Sequence, residues 1–145
     1  MSLFDKLQGN RNAKINEEKT SGAAFLADNK KKEGVVELTN GIQYQVLKEG
    51  SGEKPNVRVK IKAHYAGRLL NGKEFDSSYK RGTPFVAPIL NLIEGWQIVL
   101  PMMPLNSKWR LWIPSNLAYG DAGAGGSIPG GAVLDFEIEL LEILK

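Results

Sequence analysis

Two stretches of alternating apolar and polar residues restrict this chain to a fold built around an antiparallel sheet. In the first, apolar residues occupy every second position from Val57 to Tyr65, and basic residues and His64 lie between them. In the second, from Val133 to about Leu144, apolar residues alternate mostly with acidic ones. Successive side chains of a strand point to opposite faces of the sheet, so both patterns predict strands with one buried and one polar face.

Two further strands and one short internal helix are predicted. Alternating apolar residues mark strands at 42–46 and 109–113, and Asn71-Gly72 is typical of a tight turn between strands. Helical spacing marks a helix at 92–100, which Pro101 ends. These elements predict an α+β fold, with a five- or six-stranded antiparallel sheet wrapped around a short central helix and a short N-terminal helical extension.

The predicted division of the chain is an N-terminal arm and helix at 1–35 and a sheet domain at 36–145. The first 16 residues are polar and non-periodic, which predicts a mobile or partner-dependent arm. The helix is expected to begin at Thr20 or Ser21, either of which can cap it, and to end near Gly34. Since such a helix is marginal alone, it must pack on the domain or on a second copy of itself.

Composition argues against several classes of function. Without cysteine the chain has no disulfides, no thiol chemistry and no cysteine-based zinc site. The single histidine, His64, is expected to be solvated, and it argues against a histidine-rich metal site or a hydrolytic triad. The net charge of +3 comes from scattered basic residues, densest at Lys30–Lys32, which argues against nucleic-acid binding. We therefore expect no metal and no cofactor.

Hydropathy gives an expectation about location. No run of about 18 apolar residues exists, so no membrane partner is expected. The first residues lack the basic and apolar regions of a secretory signal, which predicts a cytoplasmic protein, or a periplasmic one only if a signal was removed.

A Gly-rich flap lies between the last two predicted strands, in the stretch Asn116–Phe136, whose last residues already belong to the final strand. Its glycines disfavour a helix or a central strand. Loops of this length in a small domain are usually functional or disordered, and strand-like sequence on both sides favours function. Tyr119 lies near the start of the flap and Ile128-Pro129 near its end. The flap lacks the G-x-x-x-x-G-K-[ST] pattern of a phosphate-binding loop.

Four aromatic residues are predicted to point towards the same interior. Tyr65, Phe75 and Phe136 fall on the inner faces of three strands, and Trp96 falls on the inner face of the helix. A closed aromatic core is the simpler interpretation, but this number of rings beside a Gly-rich flap favours an aromatic-lined pocket. Asp76 directly follows Phe75, where a carboxylate is costly to bury unless it is paired.

Spaced motifs around these residues carry a resemblance to a known family. The motifs are Ala63–Gly67, Asn71–Ser78, Ile93–Trp96, Ile113–Gly120, Ser127–Pro129 and Leu134–Leu141. Together they resemble the FKBP-type peptidyl-prolyl cis-trans isomerases, most closely the bacterial Mip-like branch, from about residue 36 to the end. The segment Ala24–Val36 is similar to the helix that precedes the domain in that branch.

The resemblance implies rotation of X–Pro bonds in unfolded or flexible polypeptides, without metal or cofactor. It implies a catalytic set comprising Tyr65, Phe75, Asp76, Trp96, Tyr119 and Phe136. It also implies a substrate-binding set comprising Phe85, Leu92, Ile93 and Ile128. In this set Trp96 resembles the pocket floor, and the Tyr119 hydroxyl and the Ile93 backbone N–H resemble donors to a bound substrate.

Three flap residues depart from the family pattern. Ala124 replaces an aromatic residue, Ser127 replaces a bulky apolar residue, and Gly130 replaces a second proline. These changes predict a less apolar, more mobile flap and leave the binding of the family's macrocyclic inhibitors open. They also favour an alternative function, a chaperone or binding module that uses the same pocket with little turnover. The N-terminal helix leaves both a monomer and a helix-mediated dimer open.

Overall fold

The computed structural model describes residues 2–145 and shows an antiparallel sheet with three helices. In this part of the chain the strands are β1 (Val35–Glu37), β2 (Gln43–Lys48), β3 (Lys60–Leu69), β4 (Glu74–Ser77), β5 (Phe85–Pro88), β6 (Lys108–Ile113) and β7 (Leu134–Leu144). The helices are α1 (Leu3–Asn29), α2 (Ser78–Arg81) and α3 (Glu94–Val99). The predicted α+β fold is confirmed, with one strand more than expected. Among the described helices, none is both long enough and apolar enough to span a membrane.

The two strands with the clearest alternation, β3 and β7, pair at the centre of the sheet. The strand order is β1-β2-β6-β7-β3-β4, and all pairs are antiparallel. The outer edge of β3 is shared, because β5 pairs with its first half and β4 with its second half. The inward residues Ile61 and Ala63 of β3 and Ile138 and Leu140 of β7 are fully buried. The core therefore lies on the face that the alternation predicted.

The internal helix α3 packs closely against the inner face of the sheet. A Cβ atom at Gly95 would lie 2.6 Å from Cγ2 of Ile113 on β6, so only glycine permits this approach. This contact explains a residue that costs about 1 kcal/mol relative to alanine inside a helix. Trp96 and Val99 of α3 are buried. A 3₁₀ turn that contains Pro101 follows the helix directly.

The N-terminal segment is more helical than predicted. The helix α1 is continuous from Leu3 to Asn29, so the arm that was expected to be mobile is helical from Leu3 onwards. Thr20 and Ser21 lie inside the helix and do not cap it. The helix ends five residues before Gly34, whose φ of 83° leads the chain into β1 instead. The error arose because Gly9, Asn10 and Asn12 have low helix propensity, whereas contacts of Ile15 and Lys19 with the flap support the helix from outside its own sequence.

The last turn of α1 is joined to the sheet through the buried side chain of Gln43. The Asn29 side-chain amide donates to Gln43 Oε1 over 2.8 Å. Gln43 Nε2 donates to the carbonyl of Leu26 over 2.9 Å and to Glu37 Oε2 over 3.0 Å. Alternation placed Gln43 on the polar face of β2, and it is fully buried there because α1 covers that face.

Candidate functional site

A cavity of about 300 Å³ opens beside α3 and the flap. Its lining residues are Tyr65, Phe75, Asp76, Phe85, Asn91, Leu92, Ile93, Trp96, Tyr119 and Phe136. The volume lies at the lower end of the range typical of small-molecule sites. A closed aromatic core, the simpler interpretation of the sequence, therefore does not describe this structure.

The aromatic walls meet in edge-to-face contacts around Trp96. The Trp96 ring lies 5.2 Å from the Tyr65 ring, 5.2 Å from the Phe136 ring and 6.1 Å from the Phe85 ring, at interplanar angles of 78°, 83° and 89°. Phe75 meets Phe136 at 5.7 Å and 84°. Aromatic pairs favour this geometry, which stabilises them beyond simple burial. Since Trp96 is buried at the centre of these contacts, it forms the cavity floor that the resemblance implied.

Two of the cavity walls close over a glycine. A Cβ atom at Gly67 of β3 would lie 2.6 Å from Cζ of Phe75 and 2.7 Å from Cε1 of Phe136. Gly67 belongs to the family-like motif Ala63–Gly67, but this steric requirement was not evident from the sequence. The glycine lets both phenyl rings lie against the β3 backbone.

Asp76 is paired, as its position beside the cavity requires. It accepts hydrogen bonds from the Tyr65 hydroxyl and from Arg81 Nη1, and Arg81 Nη2 lies 3.2 Å from the Tyr65 hydroxyl. Burial opposes ionisation of Asp76, but the hydrogen bonds from Tyr65 and Arg81 outweigh it and lower its pKa. Burial, and then the hydrogen bond to Asp76, raises the pKa of Tyr65. At neutral pH the carboxylate is therefore charged and the phenol protonated.

Sequence reasoning missed Arg81, although a local signal for its position exists. Arg81 ends the one-turn helix α2, in which the side chain of Ser77 accepts a hydrogen bond from the backbone of Lys80. Gly82 follows with a left-handed φ of 71°. A serine cap followed by such a glycine predicts a short helix, and this helix brings Arg81 back over Asp76.

Two hydrogen-bond donors at the cavity have no partner within residues 2–145. They are the Tyr119 hydroxyl, on a side chain that is 39% exposed, and the backbone N–H of Ile93. The nearby rim is held by Gln97, whose Nε2 donates to the carbonyls of Leu90 and Leu92 over 3.3 and 2.7 Å. Both donors are thus free to bind the carbonyl groups of a chain that enters the cavity.

Nine of the ten site residues inferred from the sequence line this cavity, and Ile128 does not. Ile128 is 8% exposed and belongs to the same buried cluster as Trp96 and Phe136, and two backbone hydrogen bonds pair it with Ala124. Asn91 lines the cavity and was missed, since an exposed asparagine in a turn carries no distinctive signal. The catalytic or binding role of each residue stays a prediction.

His64 lies on the polar face of β3, as predicted, but it is not simply solvated. Its Nδ1 lies 2.8 Å from Ser78 Oγ, and its ring stacks on Tyr79 with the centroids 4.5 Å apart. Both partners belong to α2, which covers this part of the face. Among the described residues, no group of three or more acidic or histidine side chains is arranged to hold a metal ion.

Comparison with known proteins identifies the family. The model of the FKBP-type peptidyl-prolyl cis-trans isomerase matches residues 51–141, and that of the domain amino-terminal to this isomerase matches residues 1–46. The chain belongs to the FKBP-type peptidyl-prolyl cis-trans isomerase family. The resemblance inferred from the motifs is therefore confirmed.

Individual FKBP-type relatives match most of this chain. It is 47% identical over 123 residues to the FKBP-type 22 kDa peptidyl-prolyl cis-trans isomerase of Escherichia coli, covering 85% of this chain and 60% of that protein. It is 46% identical over 140 residues to FkpA of Aeromonas hydrophila, covering 97% of this chain and 51% of that protein. The crystal structure of FkpA from Escherichia coli superposes with a TM-score of 0.91 at 35% identity, covering 94% of this chain and 64% of that one. The chain spans between half and two thirds of these relatives.

Proposed function

We propose that this FKBP-type chain is a peptidyl-prolyl cis-trans isomerase that acts on X–Pro bonds in unfolded or flexible polypeptide segments. The observation that carries the proposal is the aromatic cavity with Trp96 as its floor and two unpaired donors, from Tyr119 and Ile93, at its edge. Such a cavity suits a prolyl ring, and its donors suit the peptide carbonyls that flank it. Membership of the isomerase family supports the same conclusion.

The proposed catalysis lowers a rotational barrier and breaks no covalent bond. Rotation about an amide bond must cross about 18–20 kcal/mol because resonance is lost in the twisted state. The twisted amide is less charge-separated than the planar one, so apolar walls disfavour the ground state relative to it. Hydrogen bonds from Tyr119 and Ile93 hold the flanks while the bond turns. A 10⁴-fold acceleration requires about 5.5 kcal/mol, which desolvation and orientation together supply.

Asp76 has an electrostatic and positioning role in this scheme, because no proton has to move. Its hydrogen bonds with Tyr65 and Arg81 hold the Tyr65 ring in the cavity wall. They also keep a negative charge beside the rotating amide. Loss of this carboxylate should therefore weaken activity less than loss of the cavity floor.

The test is a peptide assay of X–Pro isomerisation. Uncatalysed isomerisation takes tens of seconds at 25 °C, and the wild-type chain should shorten this phase strongly. A macrocyclic ligand that fills the cavity should abolish the acceleration. Tyr119→Phe should weaken it, and Tyr79→Phe is a matched control, since Tyr79 is similarly exposed but does not line the cavity. A wild-type rate equal to the uncatalysed rate would refute the proposal.

A second candidate function is a chaperone or binding module that captures proline-containing chains with little turnover. The observation that favours it is the flap sequence, in which Ala124, Ser127 and Gly130 replace larger or more rigid residues of the family pattern and so offer less apolar contact to a bound chain. An aggregation assay with a chemically denatured client separates the two functions. A cavity variant without isomerase activity that still suppresses aggregation favours the binding module, and parallel loss of both activities favours the enzyme.

We further propose that the first half of α1 mediates a dimer. Leu3 and Leu7 lie four residues apart, hence on one side of the helix, and are 74% and 59% exposed. The family model for the amino-terminal domain covers this segment. Sedimentation of the full chain should give a dimer, and Leu3→Ser with Leu7→Ser should shift it to monomer. A monomeric wild-type chain at high concentration would contradict this assignment.

A further inference from the structure

We propose that Ile15 and Lys19 of α1 are positioning residues for prolyl isomerisation, which hold the base of the flap and thereby place Tyr119 at the cavity. This inference rests on the isomerase activity proposed above. It assigns a role in the chemistry to a helix that lies outside the cavity and contributes no lining residue to it.

The first contact is an ion pair between α1 and Asp121, which lies in the outgoing arm of the flap, the segment that leads away from Tyr119. Lys19 Nζ lies 2.7 Å from Asp121 Oδ1. Asp121 follows the hydroxyl donor Tyr119 by only two residues. The pair therefore joins α1 to the backbone immediately beyond the donor. Both side chains are about half exposed, so the pair directs the loop without being essential for folding.

The second contact is a close approach of α1 to Gly130 and Gly131, which lie in the returning arm of the flap, the segment that leads into β7. A Cβ atom at Gly131 would lie 2.7 Å from the carbonyl oxygen of Ile15 and 3.3 Å from its Cγ2. At Gly130 it would lie 3.1 Å from Cγ1 of Ile15 and 2.0 Å from the carbonyl oxygen of Asp121. The α1 backbone thus lies directly on the returning arm, and that arm lies directly on the outgoing one.

Backbone hydrogen bonds connect these contacts to Tyr119. The N–H of Gly131 donates to the carbonyl of Gly120 over 2.9 Å, which closes the base of the flap. The N–H of Gly123 donates to the carbonyl of Tyr119 over 3.1 Å, and that of Gly120 to the carbonyl of Ser115 over 2.8 Å. These hydrogen bonds fix the backbone on both sides of Tyr119, and we refer to them, together with the α1 contacts, as the brace. A Gly-rich sequence does not by itself indicate such a fixed backbone.

The position of the Tyr119 hydroxyl depends on this brace, because no hydrogen bond within residues 2–145 fixes the hydroxyl itself. Orientation of donors strongly affects rate, and a displacement of about 1 Å is enough to weaken catalysis. Removing the α1 contacts should let the base of the flap move and misplace the donor. The resulting decrease in kcat/KM should be smaller than the decrease caused by removing the Tyr119 hydroxyl. Once the hydroxyl is removed, loss of the α1 contacts should cause no further decrease.

The experiment is a double-mutant cycle in the full-length chain. Ile15→Ala combined with Lys19→Met should lower kcat/KM for a proline peptide about threefold. The same pair of changes in a Tyr119→Phe background should have no further effect. Lys31→Met is the matched control for charge, because Lys31 is exposed just beyond the end of the same helix, outside the proposed dimer segment, and should leave kcat/KM unchanged. Exchanging the charges, with Lys19→Asp and Asp121→Lys, should restore most of the activity lost in Lys19→Asp alone.

Each outcome supports or overturns the positioning role. Unchanged kcat/KM in the α1 variant overturns it, and so does an equal loss in the wild-type and Tyr119→Phe backgrounds, which would indicate a general structural effect. Thermal midpoints of all variants show whether folding is preserved. If the wild-type chain itself is inactive, the proposed function fails instead. In that case the positioning role is tested by the NMR chemical shifts of the Tyr119 ring. Shifts that are the same in the wild-type chain and in the α1 variants overturn the inference.

Discussion

Replacement of Gly67 by alanine is the sharpest test of the cavity geometry. Gly67 does not have a positive φ, so alanine can adopt its backbone conformation without strain. The whole effect must therefore come from the added methyl group, which would lie 2.6 Å from Phe75 and 2.7 Å from Phe136. Carbon atoms in contact normally lie about 3.5–4.0 Å apart, so the two rings must retreat by about 1 Å.

This retreat should reduce both stability and activity. Overpacking of this kind costs about 1–3 kcal/mol, and the lower chain entropy of unfolded alanine offsets about 0.4–1 kcal/mol of that cost. We expect a net loss of about 1–2 kcal/mol, which lowers the thermal midpoint by about 3–8 °C for a domain of this size. Because both rings line the cavity, kcat/KM should fall about tenfold, a loss of about 1.4 kcal/mol in transition-state stabilisation.

Thermal unfolding by circular dichroism and the proline peptide assay measure these two effects. Gly9→Ala is the control for the chemical change, because a Cβ atom there has no neighbour within 4 Å. In the helix α1 it should stabilise the chain by up to about 1 kcal/mol and leave kcat/KM unchanged. Wild-type stability and activity in Gly67→Ala would show that the rings do not close over the glycine as described.

Three further substitutions test other parts of the structure. Phe136→Ala should lower the free energy of unfolding by about 3–5 kcal/mol in urea denaturation and abolish isomerisation, because it removes a buried wall of the cavity. Gln43→Leu should cost about 1–3 kcal/mol for each buried group it leaves unpaired, and helical signal from the end of α1 should be lost. Asp76→Asn should flatten the acid dependence of stability. The pKa of Asp76 is lowered in the folded state, so its contribution is present above the unfolded value of 3.8 and is lost as pH falls through the lower folded value.

Each of these three substitutions has its own control or contradicting result. For Phe136→Ala, full isomerase activity in a folded variant would contradict the role of this wall. Gln45→Leu is the matched control for Gln43→Leu, because Gln45 makes only an exposed contact of 3.5 Å with the carbonyl of Glu33. Equal stability of the two variants would show that Gln43 does not anchor α1. Parallel stability curves of wild type and Asp76→Asn below about pH 4 would contradict the lowered pKa.

Local patterns predicted the elements that form the cavity walls. The alternation in β3 and β7 depends only on the period of a strand, and the spacing in α3 depends only on the period of a helix. These periods set the directions of Tyr65, Trp96 and Phe136 relative to the core, and the structure brings the three rings together. The need for a pairing partner at Asp76 also followed from the cost of burying a carboxylate.

Non-local packing decided the features that sequence reasoning missed. The period of a strand places Gln43 and His64 on the polar face, but it does not show that α1 and α2 cover that face. The family resemblance assigns Ile128 to substrate binding, and that role stays a prediction, because Ile128 is buried in the same cluster as the cavity walls but does not itself line the cavity. The position of Arg81 depended on a one-turn helix that carries only weak local signals.

The sequence alone therefore determined the sheet, the internal helix, the family and most of the cavity lining. The sheet and the helix depend on residue types at regular spacing within one element, which short-range geometry dictates, whereas the family and most of the lining followed from the resemblance of the spaced motifs. Only the tertiary structure decided how far α1 extends, what it covers and how it reaches the base of the flap through Ile15 and Lys19. Those contacts join segments that lie far apart in the chain, and no local pattern encodes which surfaces meet across such a separation.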